Sequence, residues 1–304
     1  MRQYNGAPAS RRLFVFGLGY SALALARRLR AKGWRVAGTC RTEARRAALA
    51  AEGIAAFLFD GVQPLPDVAA ALAGTTHLLQ SIPPGIGVDR DGGDPALRHH
   101  AGDLAGLKGL RWVGYLSTTG VYGDRGGDWV DEKAGLHPGG PRGRARVVAE
   151  QGWLDLGRLG LAVHVFRLAG IYGPGRSALD TVREGRARRV VKPGQVFSRI
   201  HVDDIASILE ASIGRPNPGA VYNVCDDDAA PPQDVIAYAC ALLGVAAPPE
   251  IPYAEAASSM SEMARSFYAD SKRVANHRIK TELGVKLAYP DYRVGLRALL
   301  DAGA

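Results

Sequence analysis

Two short stretches carry residues whose types and spacing could do chemistry. In "FVFGLGYSALALARRL", Gly17, Gly19 and Ala22 fit the pattern G-x-G-x-x-A. A β-branched and aromatic run precedes it and an Ala/Leu/Arg run follows, so the turn joins a strand to a helix. There Gly17 permits the tight turn, Gly19 lets the backbone approach a pyrophosphate, and Ala22 keeps helix close to strand. The helix N-terminus then receives negative charge. Glycine turns also end strands for steric reasons alone; the place at the first βα turn favours dinucleotide binding. About 20 residues on, an acid would hydrogen-bond a ribose 2′-hydroxyl. "AGTCRT" offers none: Arg41 stands there with Thr42 beside it, and Glu43 lies beyond. A guanidinium suits a 2′-phosphate through forked, charge-assisted bonds, so NADP is favoured over NAD. The plainer alternative is an exposed arginine at a strand end.

The second stretch is "HPGGPRGRARVVAEQGW", where a Gly/Pro-rich loop enters a helix start carrying Arg142, Arg144 and Arg146. Helix starts ordinarily favour acids, because the macrodipole is positive there. The choices are a phosphate clamp, a nucleic-acid patch, an altered active site or a solvated face. The chain carries a net charge of +8, with a second basic cluster, "RARR", at 186–189. Neither cluster has aromatics interleaved as a stacking platform would need, so nucleic acid is disfavoured and an anionic small molecule is preferred.

These residues need a frame to hold them. "RLFVFGLG", "WRVAGTCR", "IAAFLFDG", "THLLQSIPP" and "WVGYLSTTGVYG" read as five strands. Helical runs alternate with them: "YSALALARRLRAKG", "TEARRAALAAEG", "VAAALAG" and a stretch near 95–108. Such alternation implies parallel βαβ units that bind ligands at the carboxyl ends of their strands. A helix over Val147–Leu159 and a strand "LAVHVFRLAGIYG" follow. Beyond them Pro-rich breaks at 215–218, 231–232 and 248–252 interrupt a less regular half, in which "AVYNVCDD" reads as a strand rejoining the sheet. Residues 230–304 read as helices and loops, with no internal repeat. The expected architecture is α/β: a doubly wound parallel Rossmann sheet over 11–172 and a smaller C-terminal α/β substrate lobe over 173–304, with 219–226 returning to the sheet.

The 304 residues are 47% hydrophobic and 22% charged, an ordinary globular composition. The opening "MRQYNGAPASRR" has no apolar run and reads as a ragged leader rather than a signal peptide. No stretch approaches the roughly 18–20 apolar residues of a membrane span. Cys40, Cys225 and Cys240 show neither paired nor metal-type spacing, which fits a reducing cytoplasm.

At this point a resemblance covers nearly the whole chain. The glycine turn, "YLSTTGVYGD", "FRLAGIYGPGR", "RIHVDDIA", "VYNVCDD" and "SKRVANHRI" occur in the order of the extended and atypical short-chain dehydrogenase/reductases, the NAD-dependent epimerase/dehydratase superfamily. "RIHVDD" and "KRVANHRIKTELGVKLAYPDYRVGL" look most like its bacterial sugar-nucleotide-epimerase-like subgroup. The resemblance maps Gly17, Gly19, Tyr20 and Ser21 onto the phosphate turn and Arg41 onto the adenosine ribose. Asp60 matches the position that touches adenine, and Ser81, Ile82 and Pro83 the segment beneath the cofactor. Thr118 matches the active-site Ser/Thr, and Leu168 to Ile171 the segment near the nicotinamide. Plainer roles stand beside these: Asp60 capping a turn, "SIPP" ending a strand, and Tyr122 and Tyr172 packing. His201, Asp203 and Asp204 invite a metal or acid–base reading, yet the resemblance implies a helix start capped by Asp203 or Asp204. Asp226 to Asp228 read as a solvated loop end. Arg199 could reach an anionic substrate or be a surface arginine.

Alcohol-oxidising members of that superfamily use a Tyr-x-x-x-Lys pair at the start of the helix after the fifth strand. The phenol moves a proton, and the nearby cations lower its pKa. Here the segment aligns with "HPGGPRGRARVVAE": Arg142 takes the tyrosine position, Arg146 the lysine position, and Glu150 the later acid. Arg146 could hold the nicotinamide ribose, but a guanidinium does not act as a general acid–base. No tyrosine lies between Tyr122 and Tyr172, so an alignment slip does not restore the pair.

Three readings remain. An oxidoreductase or epimerase could use another proton donor: Thr118 with substrate, Tyr20, Tyr122 or water. A non-catalytic NADP-binding sensor or scaffold could grip an acidic partner. Or the arginines could bind an anionic, sugar-nucleotide-like substrate, with chemistry elsewhere. An enzyme is favoured over a binder; a homodimer is allowed for, and neither membrane nor metal is expected.

Overall fold

The structure is a computed structural model that describes residues 11–85 and 93–303. The expected leader therefore falls largely outside the described residues. The chain divides into two compact units. Unit 1 runs to Leu116 and takes in Val148–Val165 and Ser212–Ala220; unit 2 comprises Ser117–Val147, Phe166–Ala211 and Val221–Ala304.

The first half follows the alternation read from the sequence. β1 (Arg12–Phe16) leads to α1 (Tyr20–Ala31), β2 (Arg35–Cys40) to α2 (Glu43–Ala51), and β3 (Ala55–Leu58) to α3 (Val68–Leu72). β4 (His77–Gln80), α4 (Pro95–Ala105) and β5 (Trp112–Thr118) follow. α1 buries Ala22, Leu25, Ala26 and Leu29, one face at the spacing of helical turns. Leu13 to Phe16 of β1 are all fully buried, as expected of a strand covered on both faces.

Next come β6 (Trp129–Val130), α5 (Pro141–Arg158), β7 (Val163–Leu168), β8 (Gly170–Tyr172), α6 (Ala178–Arg183) and β9 (Arg189–Val191). β10 (Arg199–His201), α7 (Val202–Gly214), β11 (Val221–Val224), α8 (Pro232–Leu243), β12 (Glu250–Pro252) and α9 (Tyr253–Ala256) continue the chain. α10 (Glu262–Ala269), β13 (Arg273–Val274), α11 (His277–Thr281) and α12 (Tyr292–Asp301) complete it.

The central parallel sheet has seven strands in the order β11-β7-β5-β4-β1-β2-β3. Successive strands run outward from β1 in both directions, so the order reverses between β1 and β4. Ligands of doubly wound sheets bind at such a switch point.

The structure departs from the sequence reading at three boundaries. "LAVHVFRLAGIYG" is two strands: Ala169 N–H still bonds Val224 O at 3.0 Å, but Gly170 N–H turns to Ser198 O at 3.1 Å, and β8 pairs with β10 in a separate ladder. The fifth strand stops at Thr118, whose hydroxyl accepts the Gly120 N–H and turns the chain into a 3-10 turn, Thr119–Tyr122. α5 begins at Pro141 rather than Val147, since proline suits a first helical turn, where an N–H has no acceptor. The three arginines are thus inside the helix.

In unit 2 one core gathers Tyr172, Leu179, Val235, Tyr292, Leu296 and Leu299. Another joins Val121, Tyr122, Val130, Ala169, Cys225 and Val274. The three cysteines are buried and free. No helix among the described residues is long and apolar enough to cross a membrane.

Candidate functional site

Unit 1 builds the glycine turn from three directions. Gly17 N–H donates to Thr39 Oγ1 at 2.8 Å and Leu18 N–H to Thr39 O at 2.9 Å, fastening the turn to the end of β2. Gly17 has φ +84°, and a Cβ there would stand 2.7 Å from Ile82 Cγ1, so glycine is required by both backbone and neighbour. Gly19 is different: it has negative φ, and a Cβ would find only Gly17 O, 4.0 Å away. Nothing inside the protein demands glycine there. Gly19 precedes α1 without a side-chain cap, which leaves the first-turn N–H groups of Ser21 and Ala22 for an outside acceptor. Tyr20 is exposed, whereas Ser21 is buried.

Ile82 is itself held by a buried network. Its N–H donates to Gln80 Oε1 at 3.2 Å, and Gln80 Nε2 donates to both carboxylate oxygens of Asp94 at 2.9 Å. Trp153 Nε1 reaches Asp94 Oδ2 at 3.0 Å, and Asp94 also accepts from Ala96 and Leu97 N–H, capping α4. Burial pushes the Asp94 carboxyl above its ordinary range, although Gln80 and Trp153 pull the other way. Ser81 N–H continues the ladder to Phe16 O at 2.9 Å, and Pro83 is exposed just beyond.

Arg41 is exposed directly after β2. Thr42 caps α2 by accepting the Arg45 N–H. Arg45, not singled out in the sequence, extends Nη2 to within 3.5 Å of Leu18 O on the glycine turn, beside the strand end that carries Arg41. Asp60 is exposed and accepts the Val62 N–H at 2.8 Å, the turn-capping role.

Unit 2 brings Thr118 and the start of α5 together. A Cβ on Gly143, between Arg142 and Arg144, would lie 3.2 Å from Gly120 O and 2.7 Å from Pro138 Cβ, so the helix start packs on the turn that follows Thr118. Arg142 is exposed and Arg146 half-buried. Lys272 secures the far end of the turn: its buried ammonium donates to Gly123 O at 2.9 Å and to Asp270 at 3.3 Å, and burial pulls its pKa down. Leu168 is buried at the end of β7, and Ile171 is half-buried in β8.

Tyr122 does not suit the proton-donor role weighed for it. Its hydroxyl donates to Asn223 Oδ1 at 2.7 Å and accepts from Arg167 at 2.9 Å in a fully buried setting. Burial pushes its pKa up to about 12.

The acids of unit 2 also depart from expectation. Neither Asp203 nor Asp204 caps α7; His201 Nδ1 accepts the Asp203 N–H at 3.2 Å instead. Asp204 turns away to accept the Ala288 and Tyr289 N–H groups at 2.8 and 2.9 Å. Asp226 is not solvated: it is buried, and its Oδ2 has no hydrogen-bond partner among the described residues. Asp227 and Asp228 are engaged by Lys280 and by Arg293. No metal-holding group of acids, histidines or cysteines occurs among the described residues.

Arg199 is no surface arginine. Its guanidinium donates to Phe197 O at 2.8 Å and Ala230 O at 3.0 Å, and burial lowers its pKa against the pull of Asp226. It lines a cavity of about 380 Å³ in unit 2 with Tyr172, Arg176, Ser177, Thr181 and Tyr292. Gly295 of α12 completes the packing, because a Cβ there would stand 2.0 Å from the Tyr172 hydroxyl. The "RARR" arginines find local partners: Arg186 pairs with Glu184, Arg188 bonds Ser259 at 3.0 Å, and Arg189 pairs with Glu250 at 2.6 Å.

No family model matches the chain. A solved conserved protein of unknown function from Silicibacter pomeroyi DSS is 52% identical, covering 96% of this chain and 99% of that one with TM-score 0.87. A solved Methylobacillus flagellatus structure, assigned as an NAD-dependent epimerase/dehydratase, is 25% identical with TM-score 0.72, covering 97% of this chain and 99% of that one. The fold is the Rossmann-like one of the epimerase/dehydratases. Protein YeeZ of Escherichia coli (strain K12) is similar along its length, 27% identical over 308 residues, 92% of this chain and 97% of that protein.

Proposed function

We propose that this protein binds NADP(H) on the glycine turn of unit 1 and acts as an oxidoreductase or epimerase on an anionic, sugar-nucleotide-like substrate without the usual tyrosine. One observation carries the cofactor reading: Gly19 is an exposed glycine that neither backbone angle nor packing requires, at an uncapped helix start. A diphosphate would use that space and those N–H groups. Arg41, with Arg45 reaching over the turn, supplies charge for a 2′-phosphate. Similarity to an assigned NAD-dependent epimerase/dehydratase supports a nicotinamide cofactor of either kind.

The nicotinamide, when bound, supplies hydride transfer. The chain's own residues must then bind the substrate and move its proton. Thr118 retains a hydroxyl hydrogen after accepting the Gly120 N–H, so it can donate to a substrate oxygen. Arg142 and Arg146 can neutralise substrate or cofactor charge but cannot relay a proton. In unit 2, Arg199 and Arg176 line a cavity together with Asp180 and Glu184, so it offers both charges to a polar substrate.

Calorimetric titration of NADP and NAD tests the cofactor; equal affinity, or tighter NAD, removes the preference. Turnover on a panel of sugar nucleotides and alcohols tests the reaction. Tight NADP binding without turnover across that panel would favour a cofactor-binding sensor.

A further inference from the structure

Arg199 is the cation at the apolar wall of the unit 2 cavity, among Tyr172, Val235, Tyr292 and Leu296. Both acceptors of its guanidinium, Phe197 O and Ala230 O, take Nη1, and Nε and Nη2 have no partner among the described residues. Those carbonyls are neutral, so they fix the group without cancelling its charge. The acids of the lining are engaged elsewhere. Asp180 accepts the Ser177 N–H and hydroxyl at 2.7 and 2.6 Å in the capping box of α6, and Glu184 pairs with Arg186.

Asp226 stands outside the lining, behind that cation. Its N–H donates to Arg199 O at 2.7 Å, which ties the loop after β11 to β10. Its Oδ1 accepts the Asp228 N–H at a long 3.4 Å, and Oδ2 is buried without a partner among the described residues. An ionised carboxylate with so few donors is costly inside a protein, so the proton stays on near neutral pH. Burial sets that preference, and the Arg199 charge opposes it.

The groups around the pair do not replace Asp226. Asp227 is held by Lys280, and Asp228 by Arg293. Asp204 accepts the Ala288 and Tyr289 N–H groups, and Asp291 those of Arg293 and Val294. Burial pushes up the phenols of Tyr172 and Tyr292 and the Cys225 thiol, so these stay neutral while Asp226 titrates.

We propose that Asp226 gates the cavity: while its carboxyl holds a proton, Arg199 grips an anionic group of the ligand, and loss of that proton weakens the grip. The gate rests on the reading of this cavity as part of an anionic substrate's site. Bound anion and ionised carboxylate compete for one guanidinium. Binding therefore takes up a proton, and affinity falls as pH rises through about 8.

Sulfate is the probe, because its charge is constant across the range. It is titrated calorimetrically at low salt into the full chain, Asp226→Asn and Arg199→Gln, each checked for native melting. Wild type should bind about tenfold more weakly at about pH 9.5 than at about pH 6.5, as one added like charge dictates. Asp226→Asn should hold its affinity across that range, and Arg199→Gln should lose the pH-dependent binding. The same pH dependence in wild type and Asp226→Asn overturns the gate while the anion site stands. No saturable binding, or an isotherm unchanged in folded Arg199→Gln, overturns the anion site and the gate with it. A second measurement needs no Arg199 variant: titrations near pH 8 in two buffers of different ionisation enthalpy. Uptake of a fraction of a proton per sulfate is expected in wild type and none in Asp226→Asn; no uptake in wild type overturns the proposal.

Discussion

Gly17 and Ile82, 65 positions apart, approach so closely that a Cβ on Gly17 would stand 2.7 Å from Ile82 Cγ1. Gly19, two residues on, meets nothing comparable. The two glycines therefore separate into one that the fold requires and one that it does not. Gly17→Ala should destabilise the protein by about 1–3 kcal/mol, through positive φ and overpacking. Gly19→Ala should melt close to wild type yet weaken NADP binding. Thermal melts with calorimetry measure both, and an unchanged NADP affinity in Gly19→Ala would place the diphosphate elsewhere.

The proposed preference for NADP rests on the strand end beside the same turn. Arg41→Ala should weaken NADP by about tenfold or more while leaving NAD nearly unchanged, because only a 2′-phosphate meets the lost guanidinium. Arg45→Ala should act in the same direction. Parallel losses for both cofactors would mean that these arginines serve the turn rather than the phosphate.

The proposed function gives the hydrogen bond to the substrate oxygen to Thr118 rather than Tyr122. On any substrate found to turn over, Thr118→Val should lower kcat by about 100-fold, the lower range for a positioned acid–base group. Tyr122→Phe should retain kcat but lose roughly 1–2 kcal/mol of stability, since Arg167 and Asn223 each lose a buried partner. A collapse of kcat with an unchanged melt in Tyr122→Phe would reverse the assignment.

Asp226 gives a pH signature. Its carboxyl is raised from its ordinary value near 3.8 to about 8, with burial outweighing the attraction of Arg199. The fold therefore favours the protonated acid. That stabilisation is complete below about 4, declines as pH rises, and is gone above about 8. Asp226→Asn, neutral throughout, should lack this decline, so its stability relative to wild type should grow between pH 5 and 8.5 in urea titrations. A constant difference would show an ordinary carboxyl.

Tyr172 and Gly295 form a packed pair at the cavity. Gly295→Ala should cost about 1–3 kcal/mol by overpacking against the phenol, and Tyr172→Phe should relieve part of that penalty. Additive losses in the double variant would uncouple them.

Much of unit 1 was legible from residue order because its signals are local. Ala22, Leu25, Ala26 and Leu29 repeat with helical turns, and the short apolar runs are bounded by glycine or proline, so α1 and the first strands announce themselves. The glycine turn and Arg41 were visible for the same reason: their meaning lies in adjacency to a strand end. Local spacing was less informative where the backbone changes partners. Nothing in "FRLAGIYG" signals that Ala169 bonds one ladder and Gly170 another.

Burial and distant juxtaposition lay beyond residue order altogether. "CDDD" reads as one acidic loop end, yet the fold buries Asp226 and hands its neighbours to Lys280 and Arg293. The Gln80–Asp94–Trp153 network under Ile82 and the reach of Arg45 to Leu18 join separate elements. So does the approach of Asp226 to Arg199, whose carbonyl accepts the Asp226 N–H at 2.7 Å. Residue type and spacing specify what a side chain can do and which helix or strand carries it. Desolvation and the approach of groups from other elements set its charge and reach, and those exist only once the chain has packed.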